Sequence, residues 1–380
     1  MSEGYIPRLA PYFLLILIQA GLFFTILPLW QTTDETTWIG NGIKFEQALL
    51  QHNWSNTRLT TRPGVTVEWL IAATSRFVFG ENILRNTPPD NLATQQNIIS
   101  ASRVTMVSCL IILNLLLFYF LKRLLAAPVA FFISLLLGIH PIFTEATFLV
   151  WTDMLLVYFL VLPVITFLLY TQTYFKKYIF LTGLFFGLAI LTKVIAWIII
   201  PILLAIVVMH RQHMHRLLNA LGMATLMGLA FFYILYPASW LHPGILFDRV
   251  HEVDASYTSS QAVRSDQPLW QYILFIFLID PLLIITALVV LYMLTRQWLD
   301  YKAHKLSLIF FMAAGIYLIA VTGISLLKDN GLFSIRSDRY AAPLIPFLLI
   351  GSFSFLNTRK PQWIVTALSL ALAVSYMIYF

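Results

Sequence analysis

Two adjacent carboxylic acids, Asp34 and Glu35, follow the first strongly apolar stretch of this chain of 380 residues. A carboxylate at the end of such a stretch can act as a general base close to the membrane surface. Basic side chains recur near the ends of other apolar stretches, at Lys193, Arg336 and Arg339. Lysine and arginine are frequent partners of phosphate groups. The residue types therefore indicate a site that combines a proton acceptor with the binding of an anion.

Each of these charges also has a simpler explanation, namely a solvated residue that marks where a helix leaves the membrane. Asp153 can be interpreted in three ways: it could bind an acceptor, orient a cation or form a salt bridge with Lys193. What favours a site is that the acids and bases gather at one face of the predicted membrane domain.

The composition determines the class of protein. Hydrophobic residues make up 59% of the chain and charged residues 11%, which predicts an all-α polytopic membrane protein and excludes an ordinary soluble domain. The net charge of +7 is explained by basic residues that flank membrane spans, so we expect no nucleic-acid partner. The single cysteine, Cys109, excludes an intramolecular disulfide.

About eleven apolar runs are long enough to cross a bilayer core of about 30 Å. We divide the run 178–209 at Thr192–Lys193, because an unpaired lysine in lipid would be costly. The predicted transmembrane helices lie near residues 9–29, 104–121, 126–141, 147–170, 178–192, 194–209, 217–236, 270–294, 306–327, 341–357 and 363–380.

The orientation follows from the short connections between spans, which carry basic residues such as Lys122 and Arg123 and almost no acids. The positive-inside rule then places the N-terminus in the cytoplasm. We expect a multi-pass protein of the plasma membrane whose active site lies on the outer face. The residues that this topology places outside are Asp34, Glu35, Asp153, Lys193, Arg336, Arg339 and Tyr340.

A long first outer loop, residues 31–103, is expected to carry helices that lie in the membrane interface, over residues 44–50 and 67–79. A turn at Thr61–Gly64 separates these helices, and residues 82–97 are expected to be plain loop. The whole chain, residues 1–380, is interpreted as one transmembrane domain with no soluble C-terminal domain.

Five short motifs carry a resemblance, and their order and shared sidedness matter more than any one of them. They are Asp34-Glu35, Arg62-Pro63-Gly64-Val65-Thr66, Trp151-Thr152-Asp153, the run from Gly187-Leu188-Ala189 to Thr192-Lys193, and Arg339-Tyr340 followed by Pro343. With these motifs the chain resembles integral-membrane glycosyltransferases of the GT-C class, specifically prokaryotic relatives of dolichyl-phosphate-mannose protein mannosyltransferases and of lipid A aminoarabinose transferases.

The resemblance implies a GT-C-like fold and an enzyme that moves a hexose or pentose from a polyprenyl-phosphate donor to a hydroxyl acceptor by inverting displacement. If the reaction is such a transfer, its chemistry needs a carboxylate base, and we predict catalytic roles for Asp34, Glu35 and Asp153, with Asp34 as the base. Residues expected to bind the donor phosphate are Lys193, Arg336, Arg339, Tyr340 and Arg62. The acceptor would be a protein, a lipid or a glycan, and membrane lipid would surround the protein.

A divalent metal is not required by these residues. If the site uses one, Asp34, Glu35 and Asp153 offer hard oxygen ligands that suit Mg²⁺ or Mn²⁺. The alternative function is a transporter or flippase for a lipid-linked or amphiphilic anion. Such a protein typically has repeated halves and charges near the membrane midplane, and the sequence shows no internal repeat.

Overall fold

The computed structural model describes residues 6–25, 33–59, 64–140, 149–245, 305–328 and 342–359. Within these ranges the chain forms thirteen α-helices and no β-strand. This confirms an all-α polytopic membrane protein. The helices are α1 (Ile6–Thr25), α2 (Thr33–Leu50), α3 (Val65–Asn86), α4 (Pro89–Ala93), α5 (Gln96–Leu121), α6 (Ala127–Ile139), α7 (Thr152–Thr173), α8 (Lys176–Thr192), α9 (Ile199–Met209), α10 (Met214–Leu235), α11 (Ala238–Leu241), α12 (Lys305–Lys328) and α13 (Leu344–Arg359).

Among the described residues, three helical segments are long and apolar enough to cross a membrane, judged by length and composition: Gln96–Leu121, Thr152–Thr173 and Arg211–Leu235. Further apolar helices of 10–17 residues occur in α1, α6, α9, α12 and α13. The predicted spans 270–294 and 363–380 lie outside the described residues.

Helix α7 lies at the centre of the helix bundle. Every residue from Thr152 to Tyr170 is buried, as expected for a helix that is apolar on all sides. Asp153 stands in the first turn of this central helix. The head of α7 is therefore a fixed point around which other helix ends can be arranged.

Helices α8 and α10 approach each other closely because glycines face each other. A Cβ atom at Gly187 would lie 2.7 Å from the backbone oxygen of Gly228, and one at Gly183 would lie 2.9 Å from that of Ala224. Small residues allow such close backbone contact between membrane helices. Because α8 and α10 run in the same direction, Thr192 and Leu235 reach the same end of the bundle.

The predicted break at Thr192–Lys193 is present. Helix α8 ends at Thr192, Lys193 adopts an extended backbone with φ −154° and ψ 144°, and a short 3-10 turn precedes α9. The break lets Lys193 leave the helix direction and project its amine at the end of the bundle.

The prediction of plain loop over residues 82–97 is wrong. Helix α3 continues to Asn86, α4 follows, and α5 begins at Gln96 instead of near residue 104. The reason is tertiary: the Gln47 amide donates to the backbone oxygens of Leu84 and Thr87, at 2.6 and 2.9 Å, and so satisfies carbonyls at the end of α3.

Candidate active site

Glu35 lies in a closed, buried ion pair. Its carboxylate accepts hydrogen bonds from Arg103 at both oxygens, Nε to Oε1 at 2.8 Å and Nη2 to Oε2 at 2.7 Å. The side chain of Glu35 is 0% exposed and that of Arg103 is 4% exposed. Such a two-point contact between guanidinium and carboxylate is strongly directional. It ties the first turn of α2 to the corresponding end of α5.

Asp34 precedes Glu35 in the same helical turn but is exposed. The buried pair therefore holds the first turn of α2 against α5, while the neighbouring carboxylate is exposed at the bundle end. An acid in a first turn also interacts favourably with the helix dipole, which is a purely structural contribution. Only the difference in exposure distinguishes Asp34 from Glu35 as a group that a second molecule can reach.

Trp38, one turn after Asp34, packs against the start of α3. A Cβ atom at Gly64 would lie 2.1 Å from Cζ3 of Trp38, so only glycine fits there. This contact requires a close approach and no unusual backbone angle, since φ of Gly64 is −170°. It brings the residues after Gly64 to the end of α2 that carries the two acids.

Thr66 links α3 to the Lys193 turn. Its hydroxyl lies 2.9 Å from that of Thr192, and both side chains are buried. Thr192 donates its proton to the backbone oxygen of Leu188 at 2.7 Å, so Thr66 is the donor between the two hydroxyls. The bond joins residues that are 126 positions apart and holds the start of α3 against the end of α8.

Trp69 fixes α3 at a second point. Its indole N–H donates to the backbone oxygen of Leu235 at 2.7 Å. The last carbonyls of a helix lack partners within that helix, and here α3 supplies one for α10. Helix α3 therefore lies across the ends of α8 and α10.

Asp153 and Lys193 form the second ion pair of this end. Lys193 Nζ lies 2.5 Å from Asp153 Oδ1, and the two side chains are 25% and 9% exposed, respectively. The salt bridge that was one of the interpretations of Asp153 is thus present. It joins the head of α7 to the turn after α8, and part of the lysine stays accessible.

Together these contacts form a continuous path from the two acids of α2 through α3 to the Lys193 turn and the head of α7. We call this end of the bundle the site end. It brings together Asp34, Glu35, Asp153 and Lys193. The other predicted site residues, Arg62, Arg336, Arg339 and Tyr340, lie outside the described residues.

Arg103 is the residue that the sequence reasoning missed. It is the only charged residue of α5, and that isolation was the available signal. An unaccompanied arginine near the end of a membrane helix calls for a carboxylate partner. In the described part of the chain, no group of three or more histidine, cysteine, aspartate and glutamate side chains could hold a metal ion.

A family profile described as dolichyl-phosphate-mannose-protein mannosyltransferase matches residues 94–240. This range contains Arg103, Asp153 and Lys193 and extends from the start of α5 to α11. The match confirms the resemblance to GT-C glycosyltransferases over this part of the chain and supports a membrane glycosyltransferase. Comparisons with curated proteins and with solved structures found no match.

Proposed function

We propose that this glycosyltransferase moves a sugar from a polyprenyl-phosphate donor to a hydroxyl acceptor on the outer face of the membrane, with inversion at the anomeric carbon. The observation that carries the proposal is the path of contacts at the site end. It puts an accessible acid, Asp34, and a partly accessible cation, Lys193, at the same end of the bundle. A base and a phosphate-binding group are the two components that this transfer needs.

In the proposed reaction, Asp34 takes the proton from the acceptor hydroxyl while the acceptor oxygen forms a bond to the anomeric carbon. The bond from that carbon to the phosphate oxygen breaks, and its electron pair leaves with the phosphate. Inverting transfer needs a base on one face and stabilisation of the leaving group on the other. A phosphate leaving group is a weak base, so cations can replace a general acid.

Lys193 is our candidate to stabilise the leaving phosphate. Its pairing with Asp153 holds the amine at the site end, and its side chain is 25% exposed there. Arg62 stands two residues before Gly64, whose contact with Trp38 belongs to the site end. We propose the same phosphate-binding role for Arg62, and by resemblance for Arg336, Arg339 and Tyr340.

The three acids do not fit a shared divalent metal in the observed arrangement. Both carboxylate oxygens of Glu35 bind Arg103, and Asp153 binds Lys193. A metal would have to replace these cations. We therefore assign no step of the reaction to a metal, and we assign Glu35 the structural task of positioning α2.

The test of this function is donor selectivity. Purified protein in lipid vesicles should transfer sugar from a polyprenyl-phosphate donor to added hydroxyl acceptors and should not use UDP- or GDP-sugars. The physical reason is that the phosphate of a lipid-linked donor lies at the membrane surface, where we expect the site end to be. Transfer from a soluble nucleotide sugar at a comparable rate would refute the proposal.

The sidedness can be tested separately. In a Cys109→Ser background, a cysteine at Ser55 should react with an impermeant thiol reagent in intact cells, and one at His213 should not. Both positions are exposed in the structure, so a difference in labelling between them cannot be explained by burial. The reverse pattern of labelling would place the site end in the cytoplasm.

A further inference from the structure

The end of the bundle opposite the site end carries a group of cations, three of which contact aromatic rings. In the described part of the chain, no salt bridge involves Lys122, Arg123, Lys176 or Lys177. These four residues lie in the turn between α5 and α6 and in the first turn of α8. We call them the basic turn surface.

Arg123 holds the two parts of this surface together. Its guanidinium donates from Nη1 to the hydroxyl of Tyr178 at 2.9 Å, and from Nη2 to the hydroxyl of Tyr119. It also lies 4.6 Å from the centre of the Tyr119 ring. Arginine has five N–H donors, so these bonds leave donors for another acceptor. Arg123 itself is exposed.

The two lysines that flank Arg123 in space also contact aromatic rings. Lys177 Nζ lies 5.2 Å from the centre of the Tyr178 ring, the same residue that accepts from Arg123. Lys122 donates to the hydroxyl of Tyr12 at 2.6 Å and lies over its ring. Tyrosines therefore hold several like charges close together, and like charges repel unless an anion lies among them.

Exposed aromatic side chains adjoin these cations on α5, on α8 and just before α8. Phe175 is 59% exposed, Phe180 is 47% exposed and Tyr119 is 37% exposed. An anion that carries acyl chains could bind its phosphate to the cations and lay its chains along these rings. A soluble phosphate would gain nothing from the apolar part, which favours a lipid as the occupant.

We infer that the basic turn surface binds the headgroup of an anionic phospholipid. Arg123 would contact the phosphate with its remaining N–H groups, and Lys176 and Lys177 would supply further positive charge. Tyr178 has a positioning role, because its hydroxyl and its ring hold Arg123 and Lys177 in place. The site lies at the far end of the bundle from the residues proposed for sugar transfer and does not depend on that proposal.

The test compares lipids that differ only in charge. The purified full chain in detergent is titrated with phosphatidylglycerol or with phosphatidylcholine, and bound lipid is counted by native mass spectrometry. We expect selective retention of phosphatidylglycerol. Loss of one cation, in Arg123→Gln or Lys177→Gln, should weaken its binding roughly fivefold, the usual contribution of one basic residue near an anionic lipid.

Arg211→Gln is the matched control, because Arg211 is an exposed cation at the same end outside the basic turn surface. It should leave retention unchanged. Tyr178→Phe keeps every charge and should still weaken binding. If Arg123→Gln fails to fold, Lys177→Gln decides, since Lys177 is exposed. Equal retention of both lipids, equal losses in the Arg211 variant, or full competition by inorganic phosphate would overturn the inference.

Discussion

Two ion pairs at the site end differ in how completely the protein encloses them. Glu35 and Arg103 make two hydrogen bonds and are 0% and 4% exposed. Asp153 and Lys193 make one short contact and are 9% and 25% exposed. The first pair satisfies the carboxylate at both oxygens, whereas the second leaves part of its cation accessible.

This difference separates positioning from binding. A fully enclosed pair cannot exchange its partner without unfolding its surroundings, because a lone buried charge is very unfavourable. A pair open on one side can share its cation with an arriving anion. The Glu35–Arg103 pair should therefore affect stability, and the Asp153–Lys193 pair should affect the use of the donor.

The largest effect is expected from breaking the enclosed pair. Arg103→Met should destabilise the protein by about 3–5 kcal/mol, the cost of leaving a buried charge without its partner. Thermal unfolding in detergent would measure this loss. The double variant Glu35→Gln with Arg103→Met should regain much of it, because no buried carboxylate remains. Normal stability of Arg103→Met would show that the pair is not a structural determinant.

The next effect separates Asp34 from its buried neighbour. Asp34→Asn should keep the protein folded and lower transfer by at least about a hundredfold, the low end for losing a general base. Asp90→Asn is the control. Asp90 is an exposed acid of α4 that forms a salt bridge with Lys44 of α2. Steady-state transfer assays would check both variants. Near-normal turnover of Asp34→Asn would disprove the assignment of the base.

A smaller effect is expected at the open pair. Lys193→Met should raise the KM for the polyprenyl-phosphate donor roughly tenfold, as expected for one hydrogen bond to a charged group, while the KM for the acceptor stays nearly constant. Lys193→Arg should keep part of the donor binding. An unchanged donor KM in Lys193→Met would remove this residue from the phosphate site.

Asp153→Asn distinguishes the interpretations of this acid. If Asp153 only neutralises Lys193, the variant should lower the donor KM by a few-fold, since the lysine then interacts more fully with the phosphate. A higher acceptor KM with an unchanged donor KM would instead assign Asp153 to the acceptor. Measuring both constants over a full range of each substrate decides between them.

Local patterns in the sequence were sufficient to predict the all-α class and the helix break at Lys193. Apolar runs and an isolated charge can both be recognised from neighbouring residues alone. They also predicted a turn at Thr61–Gly64, most of which lies outside the described residues. They did not reveal Arg103 as the partner of Glu35, which lies 68 positions away. Nor did they show that residues 82–97 are mostly helical, because the Gln47 contacts that stabilise the end of α3 come from another helix.

A third pair, Glu46 with Arg76, has the most exposed cation of the three and should give the smallest effect. Glu46 Oε1 lies 3.3 Å from Arg76 Nε, with the acid 5% exposed and the arginine 56% exposed. Burial raises the pKa of Glu46, and Arg76 lowers it only in part. A raised pKa in the folded state means that folding favours the protonated acid. Stability is then greatest below the ordinary pKa and declines as the pH rises through the raised value.

Glu46→Gln should remove this pH dependence. The variant should match the wild type at low pH and exceed it near neutral pH by roughly 1 kcal/mol or less, the range expected for a pair with one exposed partner. Hydrogen exchange of the amides in α2 and α3 at several pH values would measure the difference. Glu81→Gln is a control for which we expect a pH dependence of the opposite sign, because hydrogen bonding from Arg85 lowers the pKa of Glu81. If Glu46→Gln instead destabilised these helices at neutral pH, the attraction of Arg76 would outweigh burial, and exposure alone would not rank the three pairs.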